Sequence, residues 1–323
     1  MKHYIAPRTY IVIPCFNEQE VISETAKRLT KKISALIDLG KCSPESYIVF
    51  VDDGSVDSTW EIIEELYESN PHVLGIKSSR NRGHQNTLLA GLLTVKDRCD
   101  VAISMDADLQ DDIEVLDEFL DKYSEGCEIV YGVRNSRKKD TLFKRGTAGL
   151  FYKMMNKLGV ETVNNHADYR LMSKKALDAL AEFKEVNLFL RGLVPLIGFK
   201  TGIVYYERNE RFAGESKYPL KKMLHFAGDG ITSLSIKPIR MITALGMLIF
   251  GISMIYLIYS LIRFITGNVV RGWTSIVISI WALGGLQIFA IGVIGEYIGK
   301  IYLETKHRPR YIIEEYLDEE GKR

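Results

Sequence analysis

From Tyr10 to about Tyr131, short β-branched runs alternate with stretches of helical periodicity. Tyr10-Ile11-Val12-Ile13 predicts a strand, followed by a helix over 18–36. Tyr47–Val51 predicts a second strand with a helix over 58–68, and His72–Ile76 a third with a helix over 85–95. Val101–Ser104 predicts a fourth strand, then a helix over 113–123 and a fifth strand over 128–131. This alternation predicts an α/β domain with a parallel sheet covered on both faces. In such sheets ligands gather beyond the carboxyl ends of the strands. No internal repeat or low-complexity segment interrupts the pattern.

Beyond residue 236 the pattern changes. Met241–Ile262 and Gly272–Gly295 are uncharged, and each exceeds the ~20 apolar residues that cross a hydrocarbon core. They predict a transmembrane hairpin; the alternative is a pair of buried core helices. Lys217, Lys221, Lys222, Lys237 and Arg240 precede it, and Lys300, Lys306, Arg308 and Arg310 follow, whereas the connection holds only Arg263 and Arg271. That bias places both ends of the hairpin, and the globular domain, on the cytoplasmic side of a cell membrane. Between the two parts, Pro219–Ile236 spaces Leu220, Met223, Leu224, Phe226 and Ala227 near helical period with Lys221, Lys222 and His225 between, which predicts an interfacial helix. The expected organisation is a catalytic domain over 1–216, a juxtamembrane segment over 217–238, two spans over 239–299 and a cytoplasmic tail over 300–323.

Composition adds exclusions. A net charge of +1 over 323 residues supplies no basic field for nucleic acid. Lys2 and Arg8 flank no apolar core before Tyr10, so no secretory signal is expected. Cys15, Cys42, Cys99 and Cys127 lack CxxC spacing and read as free thiols, and the histidines form no HxxxH or HExxH pair for zinc. Dinucleotide-type and P-loop glycine motifs are absent.

The polar motifs fall at the predicted strand ends. Asp106 and Asp108 follow the fourth strand; two apart on extended chain, they present two carboxylates on one side. Such a pair repels unless a cation joins it, and hard ions such as Mg²⁺ or Mn²⁺ complete their shells with substrate phosphate. Asp111 and Asp112 fit the cap of the next helix. Asp52 and Asp53 follow the second strand, ahead of a Ser58-Thr59-Trp60-Glu61 capping box. Pro14-Cys15-Phe16-Asn17-Glu18 follows the first, with Asn17 a good N-cap.

Together, Pro14-x-Phe-Asn-Glu18, Asp52-Asp-Gly-Ser-x-Asp57, Arg80-Asn-x-Gly83 and Asp106-x-Asp108-x-Gln110 resemble family 2 glycosyltransferases. The resemblance covers 10–218 and implies a GT-A fold, with Pro14, Asn17, Glu18, Asp52, Asp53 and Arg80 around the nucleotide. It also implies a metal on Asp106, Asp108 and Gln110 that stabilises the departing diphosphate. Val130-Tyr-Gly-Val-Arg134 with Arg137 and Arg145, Ala167-Asp-Tyr-Arg-Leu171, and Arg211-x-x-Gly214-x-Ser-Lys-Tyr218 look like the dolichol-phosphate mannose synthase group, and more closely its bacterial bactoprenol glucosyltransferase relatives. That likeness implies single, inverting transfer from a nucleotide sugar, UDP-glucose or UDP-N-acetylglucosamine before GDP-mannose, to polyprenyl phosphate. Asp168, in a polar loop, would be the catalytic base or an orienting group, and Arg134, Arg191, Arg211, Ser216 and Lys217 would meet the acceptor phosphate. The Gln-x-x-Arg-Trp of processive synthases is absent; the nearest counterpart is Phe189-Leu-Arg191-Gly192. The rival readings are another lipid acceptor and a non-catalytic membrane scaffold. The tail Arg308–Glu314 could add an edge strand to a neighbouring copy.

Overall fold

The computed structural model describes residues 6–135, 166–186, 188–207, 237–266 and 273–322. These fall into two units: a sheet domain, which the chain rejoins from Arg308 onward, and a pair of long helices.

The sheet domain contains β1 (Thr9–Cys15), α1 (Ile22–Asp38), β2 (Tyr47–Asp52), α2 (Thr59–Ser69), β3 (Val73–Ser78), α3 (His84–Val95), β4 (Val101–Ser104) and α4 (Leu116–Ser124). It continues with β5 (Ile129–Arg134), β6 (His166–Ser173), α5 (Lys174–Ala181), α6 (Leu190–Leu196), β7 (Thr201–Tyr206) and, from the C-terminal tail, β8 (Ile313–Leu317). Alternation along β1 sorts the core onto two faces. Ile11 and Ile13 pack with apolar residues of α1, α2 and α4, while Tyr10 and Val12 pack with those of α3, α5 and α6. Gly91 lets α3 approach the second face, since a Cβ there would lie 2.5 Å from Val12 and 2.6 Å from Val51.

The sheet order is β7-β5-β6-β4-β1-β2-β3-β8. β1, β2, β3 and β4 are parallel as predicted, but β6 pairs antiparallel with both β4 and β5, and β8 antiparallel with β3, so the sheet is mixed. Two expectations are corrected here. Asp168 lies within β6, not in a loop, because its charge and that of Arg170 meet each other on the strand's buried side. The tail strand joins its own chain's β3, with Gly75 opposite Leu317, instead of seeking a neighbour. An otherwise open edge of β3 is thereby closed. Arg98 bridges to Asp318 and Glu319 at 3.3 and 2.8 Å, and the Tyr67 hydroxyl donates to the Asp318 carbonyl, holding the tail in place.

The second unit comprises α7 (Lys237–Ile265) and α8 (Trp273–Thr305), of 29 and 33 residues. Leu283–Thr305 is long and apolar enough to cross a membrane, with mean hydropathy 1.3 and none of it buried; Ile239–Ile249 is apolar but shorter. Among the described residues there is thus at least one candidate span, within α8.

Candidate active site

Parallel register sets the ends of β1, β2 and β3 side by side: Cys15 opposite Asp52, and Asp52 opposite Lys77. Asp52 is fully buried and accepts from the Gly54 and Ser55 backbone N–H groups, each at 3.1 Å. Burial raises its pKa, against the lowering effect of those hydrogen bonds. Asp53, also buried, reaches sideways and accepts from the N–H groups of Arg82 at 2.7 Å and Gly83 at 2.9 Å. It therefore clamps the 80–83 loop onto the end of β2. Gly54 permits this, with φ +68° and a notional Cβ only 2.8 Å from the backbone of Arg80 and Asn81.

Pro14 stands opposite Val51 in β1, a position open to proline because pairing with β4 has ended at Val12. Asn17 does not cap a helix. Its φ is 53°, and α1 starts only at Ile22. Instead its N–H donates to Ser55 Oγ at 2.9 Å, and its Oδ1 accepts from Val56 N–H at 3.0 Å. The expected capping box is likewise replaced. Ser58 makes no side-chain cap, and the Thr59 N–H donates to Asp57 Oδ1 at 3.1 Å. The Glu18 N–H donates to Thr59 Oγ1 at 2.9 Å, so these polar residues lace two strand-end loops together. Arg80 stands exposed on the clamped loop.

After β4 the chain turns at once, with Leu109 at φ 56°. Period-two exposure nevertheless persists: Asp106, Asp108 and Gln110 are half-buried, while Met105, Ala107, Leu109 and Asp111 are buried. Gln110 offers its backbone N–H to Asp108 Oδ1 at 3.1 Å. Asp106 Oδ1 lies 3.1 Å from His84 Nε2 on the first turn of α3. Burial works against charge on both partners, but their mutual hydrogen bond and attraction prevail, lowering the Asp106 pKa and raising that of His84. Asp112 caps the following turn as expected, accepting from the Glu114 N–H at 2.9 Å. Asp111 does not. It turns inward to Tyr206 Oη and Arg134, the latter at 3.5 Å. Burial and then the Asp106 charge push its pKa up to about 6. Its Oδ2 is buried and unpartnered among the described residues.

Asp168 joins this group from β6. Arg170 Nη2 donates to its Oδ1, and Arg191 Nη2 to its Oδ2 at 3.0 Å. Burial opposes ionisation, yet the nearby charges of Arg191, Arg170 and His84 hold this carboxyl far below the ordinary range. Gln85 Oε1 accepts from the Leu190 N–H at 2.8 Å, tying the start of α3 to the start of α6 and so placing Arg191. His84, Asp106, Asp168 and Arg191 lie within one electrostatic neighbourhood, each shifting the pKa of another.

The structure thus gathers Asp106, Asp168, Arg191 and, through Asp111, Arg134. Arg137, Arg145, Arg211, Ser216, Lys217 and the interfacial segment lie outside the described residues. Sequence reasoning passed over His84, Asp111, Arg170 and Tyr206. Arg170 had a signal, since it sits two residues from Asp168 and shares its side of a strand. Among the described residues no three His, Cys, Asp or Glu side chains form a ready-made metal cage.

Comparison with known proteins places this geometry. Residues 10–181 match glycosyl transferase family 2, and residues 237–301 match the GtrB C-terminal hairpin. The chain belongs to glycosyltransferase family 2 and has its GT-A fold. YkoT of Bacillus subtilis (strain 168), described as an uncharacterized glycosyltransferase, is 55% identical over 95% of this chain and 91% of its own. The bactoprenol glucosyl transferase of Shigella phage SfV is 40% identical over 94% of this chain and 97% of its own. The prophage bactoprenol glucosyl transferase homolog of Escherichia coli (strain K12) is 40% identical over the same shares. Among solved structures, a Pyrobaculum calidifontis mannosyltransferase aligns with TM-score 0.44 and 14% identity over 92% of this chain and 88% of that one.

Proposed function

We propose that this enzyme transfers one sugar from a UDP-sugar, glucose first, to polyprenyl phosphate at the cytoplasmic face of a membrane, with inversion. The observation that carries this reading is the 40% likeness to bactoprenol glucosyl transferases over 94% of the chain, hairpin included. Pro14, Asn17, Glu18, Asp52, Asp53 and Arg80 would surround the nucleotide, with Asp53 acting through the loop that it clamps.

The oxygen-only donor pair Asp106 and Asp108, with Gln110 beside them, suits a hard Mg²⁺ or Mn²⁺ ion whose remaining ligands would be diphosphate oxygens and water. The half-exposed carboxylates fit an ion that arrives with the donor. Such an ion would supply Lewis-acid stabilisation of the leaving diphosphate.

The chain's own residues serve the acceptor. A phosphate monoester with a second pKa of about 6 is largely a dianion at neutral pH, so it attacks the anomeric carbon without first losing a proton. Asp168, ionised and shared between two arginines, is poorly suited to taking one. Its role is to fix Arg191 where the acceptor phosphate arrives, with Arg134 as a second cation. The test is transfer of label from a panel of nucleotide sugars into purified polyprenyl phosphate. Exclusive use of GDP-mannose, of diacylglycerol as acceptor, or no transfer at all would each overturn the reading.

Two further outcomes are expected. Gly54→Ala places a Cβ against the 80–83 backbone in a left-handed conformation that costs about 1–2 kcal/mol. UDP affinity measured by calorimetry should fall about tenfold or more, and unchanged affinity would show that the loop is not part of the donor site. The second concerns topology, with both α7 and α8 crossing the membrane. The four cysteines are buried and unpaired, so they give a quiet background. A cysteine introduced at Asn268 should react with an impermeant maleimide from outside intact cells; labelling only after permeabilisation would reverse the orientation.

A further inference from the structure

On returning from α8, the chain does more than close the sheet edge. Arg308, Pro309 and Arg310 line a notch of about 460 Å³ with Asn81, Arg82 and Asn86. The notch therefore joins the loop clamped by Asp53 to the first residues after the hairpin. The Ser79 N–H donates to the Ile312 carbonyl at 3.0 Å, and Arg310 Nη1 donates to the Phe183 carbonyl at 2.9 Å, so both walls are anchored.

The electrostatics of the notch are one-sided. Three guanidinium groups line it, and among the described residues none of its lining side chains is acidic. No ion pair to Arg82, Arg308 or Arg310 occurs among the described residues, although Glu185 is next in sequence to the lining Val186. Among the described residues, Arg82 Nε and Asn86 Oδ1 are buried without hydrogen-bond partners. Three like charges around one small space repel each other, and a buried unpaired donor is costly. An anion with several oxygens relieves both costs, and guanidinium forks match phosphate geometry. The amino end of α3 opens on the same notch through Gly83, adding a favourable dipole.

We infer that this notch is a phosphate-binding subsite, separate from the Asp106–Asp168 cluster, built jointly by the 80–83 loop and the post-hairpin segment. Two sources could supply the phosphate, the lipid acceptor and the nucleotide donor. Arg308 follows the last helical residue of α8, Thr305, by three positions, which favours the lipid. That choice of source rests on the acceptor proposed above, whose single phosphate would dock in the notch on arrival and pass to Arg191 for transfer.

The test uses the full-length enzyme in detergent, as wild type, Arg82→Gln, Arg308→Gln, the double variant and Arg308→Lys. Arg310 is left intact because it anchors the tail. Calorimetry measures binding of a short-chain prenyl phosphate, UDP and inorganic phosphate. Each Arg→Gln change should weaken the prenyl phosphate about tenfold, the effect of one good charge-assisted contact, and Arg308→Gln, which lies outside the donor loop, should leave UDP unchanged. Arg308→Lys should fall between the two. In Arg308→Gln the apparent KM for lipid should rise, while kcat at saturating lipid and the KM for the nucleotide sugar hold. Weaker UDP binding with unchanged prenyl phosphate overturns the lipid assignment in favour of the donor. Unchanged affinity for all three probes, in variants with unaltered unfolding temperature, overturns the subsite itself. Should the wild type bind no prenyl phosphate, the proposed acceptor falls. Inorganic phosphate then decides the notch: Arg308-dependent binding keeps it, and its absence removes it.

Discussion

Asp168→Asn is expected to lower sugar transfer at least ~100-fold, a loss typical of removing one preorganised charged group from an active site. The reason differs from that for a general base. In the structure the carboxylate holds Arg191 at 3.0 Å and Arg170 on its other oxygen, and those cations keep its pKa far below the ordinary range. The sign of the linkage follows. A depressed folded pKa contributes stability that is present above the unfolded carboxylate pKa of about 4 and is lost only as pH falls through the folded value. Asp168 therefore stays ionised across the whole working range, and the wild-type pH–rate profile should show no limb belonging to it above about pH 4. Asp168→Ala should also destabilise the domain, by about 3–5 kcal/mol, because it strands the buried Arg170 guanidinium. Asp168→Asn keeps the shape and separates the two effects. If Asp168 positions Arg191, the Asn variant raises the KM for the lipid, and Arg191→Gln reproduces most of the loss without adding to it in the double variant. If it is a base, small exogenous bases rescue the Asn variant and its rate climbs with pH. That pattern would sink the positioning role.

What could be read from sequence follows from how each element earns its place. The five apolar runs became strands within two or three residues of their expected limits, since continuous Val, Ile and Phe can satisfy both faces of a central strand only by burial. β6 was missed because its informative residues are charged. Asp168 and Arg170 neutralise each other inside the sheet, and only pairing in space distinguishes that from a polar loop. Asn17 was misread for a related reason: asparagine serves equally as an N-cap and as a left-handed residue, and loop-to-loop hydrogen bonds decided for the second. Asp106 and Asp108 were legible because their period of two survives the turn that follows β4. His84 and Asp111 were not, because each gains its meaning from a partner distant in sequence: His84 from Asp106, and Asp111 from Tyr206 and Arg134. The tail strand was half legible. Its β character showed in the sequence, but the partner edge did not, since β3 closes in space and not along the chain.

Asp108→Asn carries the other large expected effect, and the structure explains why it is a cleaner probe than Asp106→Asn. Asp106 is joined to His84 at 3.1 Å and shares the field of Asp168 and Arg191, so its loss disturbs several groups together. Asp108 is half-buried, and its Oδ1 accepts the Gln110 N–H at 3.1 Å, a bond that an asparagine oxygen can keep. The substitution therefore removes charge while preserving the local turn, and the unfolding temperature should hold. If a divalent ion joins this carboxylate to the donor diphosphate, Mn²⁺-dependent UDP binding should weaken by about two orders of magnitude, and transfer should fall by ~10²–10³. UDP binding measured without metal should be nearly the same in variant and wild type, because the residues proposed for the base and ribose at the ends of β1 and β2 are untouched. Calorimetry with and without Mn²⁺, together with paramagnetic resonance of the bound ion, reads both arms without relying on turnover. Equal metal dependence of UDP binding in the two proteins would remove Asp108 from the metal site.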